Sequence, residues 1–544
     1  MKKLTKVVIL VLLTVIFTTL LCSCHGARPL AEFEMPEEFD YSKQYEITFL
    51  AKCDSHALQT QIFLDAIEEF ERLYPNIKVN LMTETDYKLI DQYVLKNLSN
   101  QQVPNICVAY PDHVANYMEG VNIVVPLDGL INDEKYGLGG SEVKYDSVRL
   151  TEMVTKFLDE GKIGGEQYLM PLMRSSEVCY INLDLVHALG FEIPEEGLSW
   201  DFIFRVCEKA MEPVSIDENG NPVYINGQNI MVPFMYKSTD NMMIQMLKQK
   251  GYSYSNENGD ILIFNDNTKD LLYLIADKVD KKQISTFDIE NKYPGDLINA
   301  GQCIFGVDST AGATWIGSHS PNVEISEDSI TEFELLVTEI PQFDLENPQM
   351  ISQGPSMCIF NKQDSGEVLA SWLFMQFLLT NQVQIPYAMT EGYVPVTYRA
   401  QQDAEYIDYL SKEGQLDENG SNSTYYAPKI AAAKILLENI DNTFITPVFT
   451  RSASLRSAAG LLIEETGKGV RRGRTIDDQF FESLYSRVRS LQKLDATAEE
   501  GQGKVEFGPL PTGSVALIVG LSAVWVGLGV YVIIDYLKRR RSAR

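Results

Sequence analysis

Few side chains in this 544-residue chain stand at spacings that serve reaction chemistry. Two segments, Asp217-Glu218-Asn219-Gly220-Asn221-Pro222 and Asn256-Glu257-Asn258-Gly259-Asp260, alternate Asp and Asn as the early ligands of a calcium loop do. Both lack the sixth-place glycine, where Pro222 and Ile261 stand, and the bidentate glutamate at the twelfth, so each reads as a turn. His56, His113, His187 and His319 have no metal-ligand spacing and read as structural or solvent-facing. No HExxH, nucleophile elbow or comparable signature is present, so no catalytic residue, metal or cofactor is expected. A glycoside hydrolase would need two carboxylates about 5 to 10 Å apart across a cleft, an arrangement that spacing alone leaves open. The remaining chemistry is that of binding, with aromatic faces and planar polar groups. Of the four tryptophans, Trp372 lies on an apolar helix and reads as core, and Trp200 heads a helix beside Asp201 and reads as packing or capping. Trp525 lies in a long apolar run, and Trp315 follows the polar loop Asp308-Ser309-Thr310-Ala311-Gly312.

The elements that must position these residues alternate between strand and helix. Tyr45 to Leu50 reads as a strand, and Ala57 to Leu73 places Leu58, Ile62, Ala66 and Phe70 at helical spacing. Tyr74-Pro75-Asn76 ends that helix, and Ile77 to Leu81 is the next strand. A helix over about 87–98 then leads to the buried strand Ile106-Cys107-Val108-Ala109, which Tyr110 and Asp112 follow directly. This βαβαβ opening implies an α/β fold with a largely parallel sheet, and helices over 201–211 and 365–379 continue it. A span of nearly 490 residues between the two ends is too long for one core, so at least two lobes are expected.

Both ends carry membrane-attachment signals. Lys2, Lys3 and Lys6 precede the apolar run Val7 to Leu21, as in an export signal over 1–23. Leu21-Cys22-Ser23-Cys24 resembles a bacterial lipobox, which implies cleavage before Cys24 and lipidation of that cysteine; an uncleaved anchor or plain cleavage is the alternative. Residues 497–513 read as a stalk, 514–536 as a transmembrane helix able to cross about 30 Å of hydrocarbon, and 537–544, with Lys538, Arg539, Arg540 and Arg541, as a cytoplasmic tail. The bulk of the chain is thus expected on the extracellular face of the cell membrane. With 46 Lys+Arg against 75 Asp+Glu, a net charge of -29, it repels nucleic acid. Cys53, Cys107, Cys179, Cys207, Cys303 and Cys358 lie far apart, mostly in apolar runs, and read as buried thiols.

The ordered segments resemble the extracellular solute-binding proteins of carbohydrate ABC importers, the family that includes maltose- and glycerol-3-phosphate-binding proteins. The resemblance is carried by Phe70-Glu71-Arg72-Leu73-Tyr74-Pro75-Asn76-Ile77-Lys78-Val79, by Pro104 to His113, and by Val125-Pro126-Leu127-Asp128. It continues through Tyr168-Leu169-Met170-Pro171, Ser175 to Asn182, Trp200-Asp201, Gly301 to Trp315, Gln353-Gly354-Pro355-Ser356 and Gly392-Tyr393-Val394-Pro395-Val396. It implies a two-lobed periplasmic-binding-protein fold (type II) with a hinge, the first lobe taking 45–155 and 305–360 and the second 156–304 and 361–496. It further implies a small-molecule carbohydrate ligand (oligosaccharide, polyol, or sugar or glycerol phosphate), capture by closure of the lobes, and ABC permease subunits and membrane lipid as partners.

A sugar offers apolar C–H faces and many hydroxyls. On the family pattern the ligand-binding residues expected are Tyr110, Asp112, Ser175, Ser176, Glu177, Trp315, Gly354 and Tyr393. Asp112 is alternatively a helix cap. Arg174 either pairs with a surface carboxylate or suits an anionic ligand group. The C-terminal membrane helix departs from the family pattern, which keeps open a receptor that senses its ligand and signals to a membrane partner.

Overall fold

The computed structural model describes residues 30–53, 57–256, 258–323 and 325–494, and scattered positions from 520 onward. The expected signal peptide, Cys24 and the stalk lie outside the described residues, as does much of the expected membrane helix and tail. Among the described residues no helix is long and apolar enough to cross a membrane. The chain divides into two compact units, 1–496 and 497–544. In the second, 527–531 is helical.

In the first unit the chain alternates as the hydrophobic pattern requires. Strand β1 (Tyr45–Lys52) is followed by α1 (Ala57–Leu73), β2 (Ile77–Glu84), α2 (Tyr87–Leu98), β3 (Ile106–Ala109) and α3 (Pro111–Tyr117). β1 pairs in parallel with β2 and β3, with Phe49 opposite Leu81 and Ile106. Helix α1 covers this sheet with Phe63, Ala66, Ile67 and Phe70, and Phe63 meets Phe49 edge-on at 5.2 Å between ring centroids. The inward stripe therefore sits to one side of the expected one. Leu58 is 65% exposed, because a stripe centred on Phe63 and Phe70 turns position 58 outward.

The chain then enters a second sheet that repeats the plan of the first. After β4 (Met170–Pro171) come β5 (Glu177–Asn182), α4 (Trp200–Ala210), β6 (Phe234–Tyr236), α5 (Thr239–Gln249), α6 (Asp266–Asp280), β7 (Ile284–Thr286), β8 (Phe305–Ser309), β9 (Leu335–Glu339) and β10 (Ser356–Ile359). The sheet orders are β2-β1-β3-β10-β4 and β7-β6-β8-β5-β9. In each, three parallel strands adjoin antiparallel ones. Two α/β halves, as the sequence implies, follow.

The division of the chain between the halves differs from the expectation. β8 and β9 belong to the second sheet, and of 305–360 only β10 joins the first. Helices α7 (Ser365–Phe377) and α8 (Asn381–Ala388), and the short helix Ala404–Ser411 that carries Tyr406 and Tyr409, pack into the first core. An α7 sequence apolar on nearly every side demands burial. It does not say in which core. Trp372 is buried there as expected, its indole N–H donating to Tyr136 O at 2.8 Å. Helix α9 (Ala427–Glu438) serves both cores, with Ile430, Ala433 and Leu436 toward the first and Ala432 toward a smaller cluster beneath β5. The last two helices, α10 (Ser452–Arg471) and α11 (Asp478–Leu491), complete the second core. Trp200 packs into that core with its N–H on Gln249 Oε1 at 2.9 Å, while Ser199 caps its helix. The six cysteines are free and buried, as expected.

The burial difference along α1 is measurable. Phe70→Ala is expected to cost about 3–5 kcal/mol and Leu58→Ala less than about 0.5 kcal/mol in urea unfolding of the full-length protein. Equal costs would contradict the orientation of α1.

Candidate ligand-binding cleft

In open α/β sheets, ligands are held beyond the carboxyl ends of parallel strands. The same local sequence grammar recurs at these ends in both halves. β3 runs out into Tyr110-Pro111-Asp112, with Pro111 at the first position of α3. β6 runs out into Lys237-Ser238-Thr239-Asp240-Asn241 at the start of α5. In each case a buried strand ends and polar side chains at a helix start are presented together.

On the first half, Tyr110 is half-buried and packs on Tyr87 at 4.7 Å between ring centroids. Burial raises the Tyr87 phenol and that of Tyr393 adds to the rise, which places the two together, and the Tyr393 ring lies 5.9 Å from that of Tyr387. Three tyrosines thus form one aromatic group. Burial pushes the Tyr110 phenol up to about 12, so it stays neutral and can donate. Asp112 is 8% exposed. No side-chain bond of Asp112 caps α3, and its Oδ2 is 3.6 Å from Arg456 Nε. Burial raises the Asp112 carboxyl while Arg456 pulls it back down.

On the second half, Glu177 is 2% exposed and accepts from Tyr236 Oη at 2.5 Å and from Asn241 Nδ2 at 2.9 Å. Burial lifts its carboxyl to about 7 against the downward pull of those two donors, and Asp240 and Asp308 add to the rise. Arg456 is bonded to Asp240 Oδ2 at 2.9 Å and to Asn241 Oδ1. Burial would lower its guanidinium, but Asp240 and Asp112 hold it above its ordinary value. Asn241 passes the network on to Gln353 Oε1 at 3.1 Å, and Gln353 donates to Ser176 O at 3.2 Å.

Between the halves lies the crossing segment, and here several expected ligand residues serve another purpose. Arg174 is fully buried rather than on the surface, and the carboxylate it pairs with is that of Glu160. Its two terminal nitrogens donate four hydrogen bonds, to Met173 O, Pro355 O, Phe157 O and Ser356 Oγ at 2.9 to 3.1 Å, and its Nε lies 2.7 Å from Glu160 Oε2 in an ion pair. The Ser176 hydroxyl donates to Ile351 O at 2.8 Å, and that of Ser175 reaches Gln353 O at 3.4 Å. Gly354, at φ +136, does allow a close backbone approach, but to this chain itself. A Cβ there would stand 2.5 Å from Met173 O and 2.9 Å from Arg174 Cα. Ser175, Ser176 and Gly354 therefore build the crossing rather than the cleft wall. Gly392, just before Tyr393, likewise lets the first half press on Thr310 O beyond β8, where a Cβ would come within 2.0 Å. Trp315 is half-buried against Leu297, Ile298 and Ile316 of the second half, and its carbonyl accepts from Asn299.

Of the predicted residues, Tyr110, Asp112, Glu177 and Tyr393 are brought to the strand ends. Tyr87, Tyr236, Asp240, Asn241 and Arg456 were missed. The run from Tyr236 to Asn241 repeats the strand-then-polar-helix-start signal of Tyr110 to Asp112, which would have found it. Arg456 lies on an amphipathic helix whose sequence carries no such mark.

Two α/β halves are joined by a crossing that pairs backbone with backbone, with polar and aromatic groups gathered at their strand ends. The chain belongs to the bacterial extracellular solute-binding protein family, whose model matches residues 65–412. It is 22% identical over 278 residues to an arabinooligosaccharide-binding protein of Bacillus subtilis (strain 168), which is 50% of this chain and 54% of that protein. The chain thus spans about half the length of the curated relative it matches. Its fold is similar to that of an ABC substrate-binding protein from Listeria monocytogenes in complex with cycloalternan. That likeness has a TM-score of 0.59 at 16% identity and covers 83% of this chain and 100% of the other. It is also similar in fold to a Mycobacterium tuberculosis protein in complex with glycerophosphocholine, with a TM-score of 0.56 at 17% identity over 81% of this chain and 98% of the other.

The Glu177 carboxyl makes stability depend on pH. Its folded value of about 7 exceeds the ordinary 4.5, so the folded state holds the proton that the unfolded state has released. The stabilisation is full below about 4.5 and is lost as pH rises through about 7. Relative to Glu177→Gln, the wild-type protein is expected to lose about 3 kcal/mol of unfolding free energy between pH 4.5 and 8, measured by urea titration. Parallel pH profiles would contradict the burial of this group.

Proposed function

We propose that this chain captures an uncharged oligosaccharide outside the cell and delivers it to an ABC permease. The observation that carries the reading is the juxtaposition of the Tyr87–Tyr110–Tyr393 aromatic group with a hydrogen-bonded set of Asp112, Glu177, Asp240, Asn241 and Arg456. Aromatic rings cover the C–H faces of a sugar, and planar carboxylate, amide and guanidinium groups pair with its hydroxyls. Carboxylates outnumber the guanidinium in this set, which opposes sugar phosphates and glycerol phosphates. The oligosaccharide named for the Bacillus subtilis relative and the cycloalternan bound by the Listeria protein support the same ligand class. The basic start, lipobox-like Leu21-Cys22-Ser23-Cys24 and apolar stretch over 514–536 support attachment to the outer face of the cell membrane through acylated Cys24 and a C-terminal span.

Thermal denaturation of the full-length protein in detergent, against arabino-, malto- and manno-oligosaccharides, sugar phosphates and glycerophosphocholine, tests the reading. A neutral oligosaccharide at a hundred times its dissociation constant stabilises the folded state by about 2.7 kcal/mol, and Tyr110→Ala is expected to abolish that shift. A response confined to the phosphates or to glycerophosphocholine would overturn it.

A further inference from the structure

Arg456 touches both halves of the protein. Helix α10 is rooted in the second core through Leu455, Ala458, Ala459, Leu462 and Ile463, yet its start lies on the first half, where the Arg451 backbone N–H donates to Asn116 Oδ1 at 3.4 Å. From the second turn of this helix the Arg456 guanidinium reaches Asp112 on α3 at 3.6 Å and Asp240 on α5 at 2.9 Å. Three buried polar atoms in this region have no hydrogen-bond partner: Asp112 Oδ1, Tyr254 Oη and Ser452 Oγ. Asp112 and Arg456 both act electrostatically on Tyr254, and the Ser452 hydroxyl faces Asp112 closely enough to pull its carboxyl down without completing a hydrogen bond, so these groups share one neighbourhood. A buried acceptor and two buried hydroxyls left unpaired are unfavourable. They are also what a ligand hydroxyl, which donates and accepts, would complete.

We propose that Arg456 is the specificity-determining residue of the cleft and the one that couples ligand capture to the joining of the halves. Flanked by Asp112 and Asp240, its charge is balanced, so it offers N–H donors to hydroxyl groups rather than a free cation to phosphate. The same side chain spans from one half to the other, so a ligand that completes the Asp112–Tyr254–Ser452 group stabilises the bridge as it binds. This inference rests on the carbohydrate-capture reading for its ligand class and on the ion-pair geometry alone for the bridge.

The test uses full-length protein in detergent, with arabinotriose, maltotriose and glucose 1-phosphate as probes. Arg456→Gln and the near-isosteric Asp112→Asn, each checked for native circular dichroism, are expected to weaken trisaccharide binding at least tenfold by titration calorimetry. The double variant Asp112→Asn, Asp240→Asn, which leaves the guanidinium unbalanced, is expected to bind glucose 1-phosphate at least tenfold more tightly than the wild type does. Trisaccharide affinities within twofold of wild type in both single variants, or no gain for the phosphate in the double variant, would overturn the proposal. If wild-type protein binds neither trisaccharide, the carbohydrate reading fails separately. The bridge is then judged by small-angle scattering of the ligand-free protein. A larger radius of gyration in Asp112→Asn and Arg456→Gln supports the bridge, and an unchanged one refutes it.

Discussion

A guanidinium taken wholly out of water needs a counter-charge and acceptors, and Arg174 finds both where residues 173–176 cross beside 353–356. Four of its N–H groups end on three backbone carbonyls and the Ser356 hydroxyl, and the Glu160 carboxylate pairs with its charge. Two of these acceptors, Pro355 O and Ser356 Oγ, belong to the return crossing, whereas Met173 belongs to the outward one. One buried ion pair therefore fixes the spacing of the two crossings. Removing one partner of such a pair strands the other's charge, at about 3–5 kcal/mol. The backbone pairing of Ser175 with Gln353 and the tight approach of Gly354 to Met173 continue the same junction.

With the junction fixed, the cleft follows from strand direction. Both sheets order their parallel strands alike and place polar helix starts at the same ends. Glu177 lies where the outward crossing becomes β5, so the junction and the ligand network meet at adjacent residues, Ser176 and Glu177, through Gln353 and Asn241.

Sequence reasoning recovered the architecture because strand and helix periods, and the turn at Tyr74-Pro75-Asn76, are local signals. It divided the lobes wrongly because α7, apolar on nearly every side, announces burial without an address, and because β8 and β9 pair with β5 across long separations that no local pattern encodes. At the site, the loop after β3 was legible from its strand, proline and aspartate. Ser175, Ser176 and Gly354 lie at the crossing, a place their sequence does not signal because a small or hydroxylated residue serves a backbone crossing as readily as a ligand. Arg456 went unseen because its partners Asp240 and Asn241 lie more than two hundred residues away.

Hydrogen exchange of the full-length protein, with and without millimolar neutral oligosaccharides, asks most directly whether the facing strand ends of both halves hold the ligand. Simultaneous protection of 110–117 in the first half and of 238–242 and 452–457 in the second is the predicted result. Protection restricted to one half, or confined to the surface hollow lined by Phe264, Lys269 and Tyr485, would contradict a cleft that binds between the lobes.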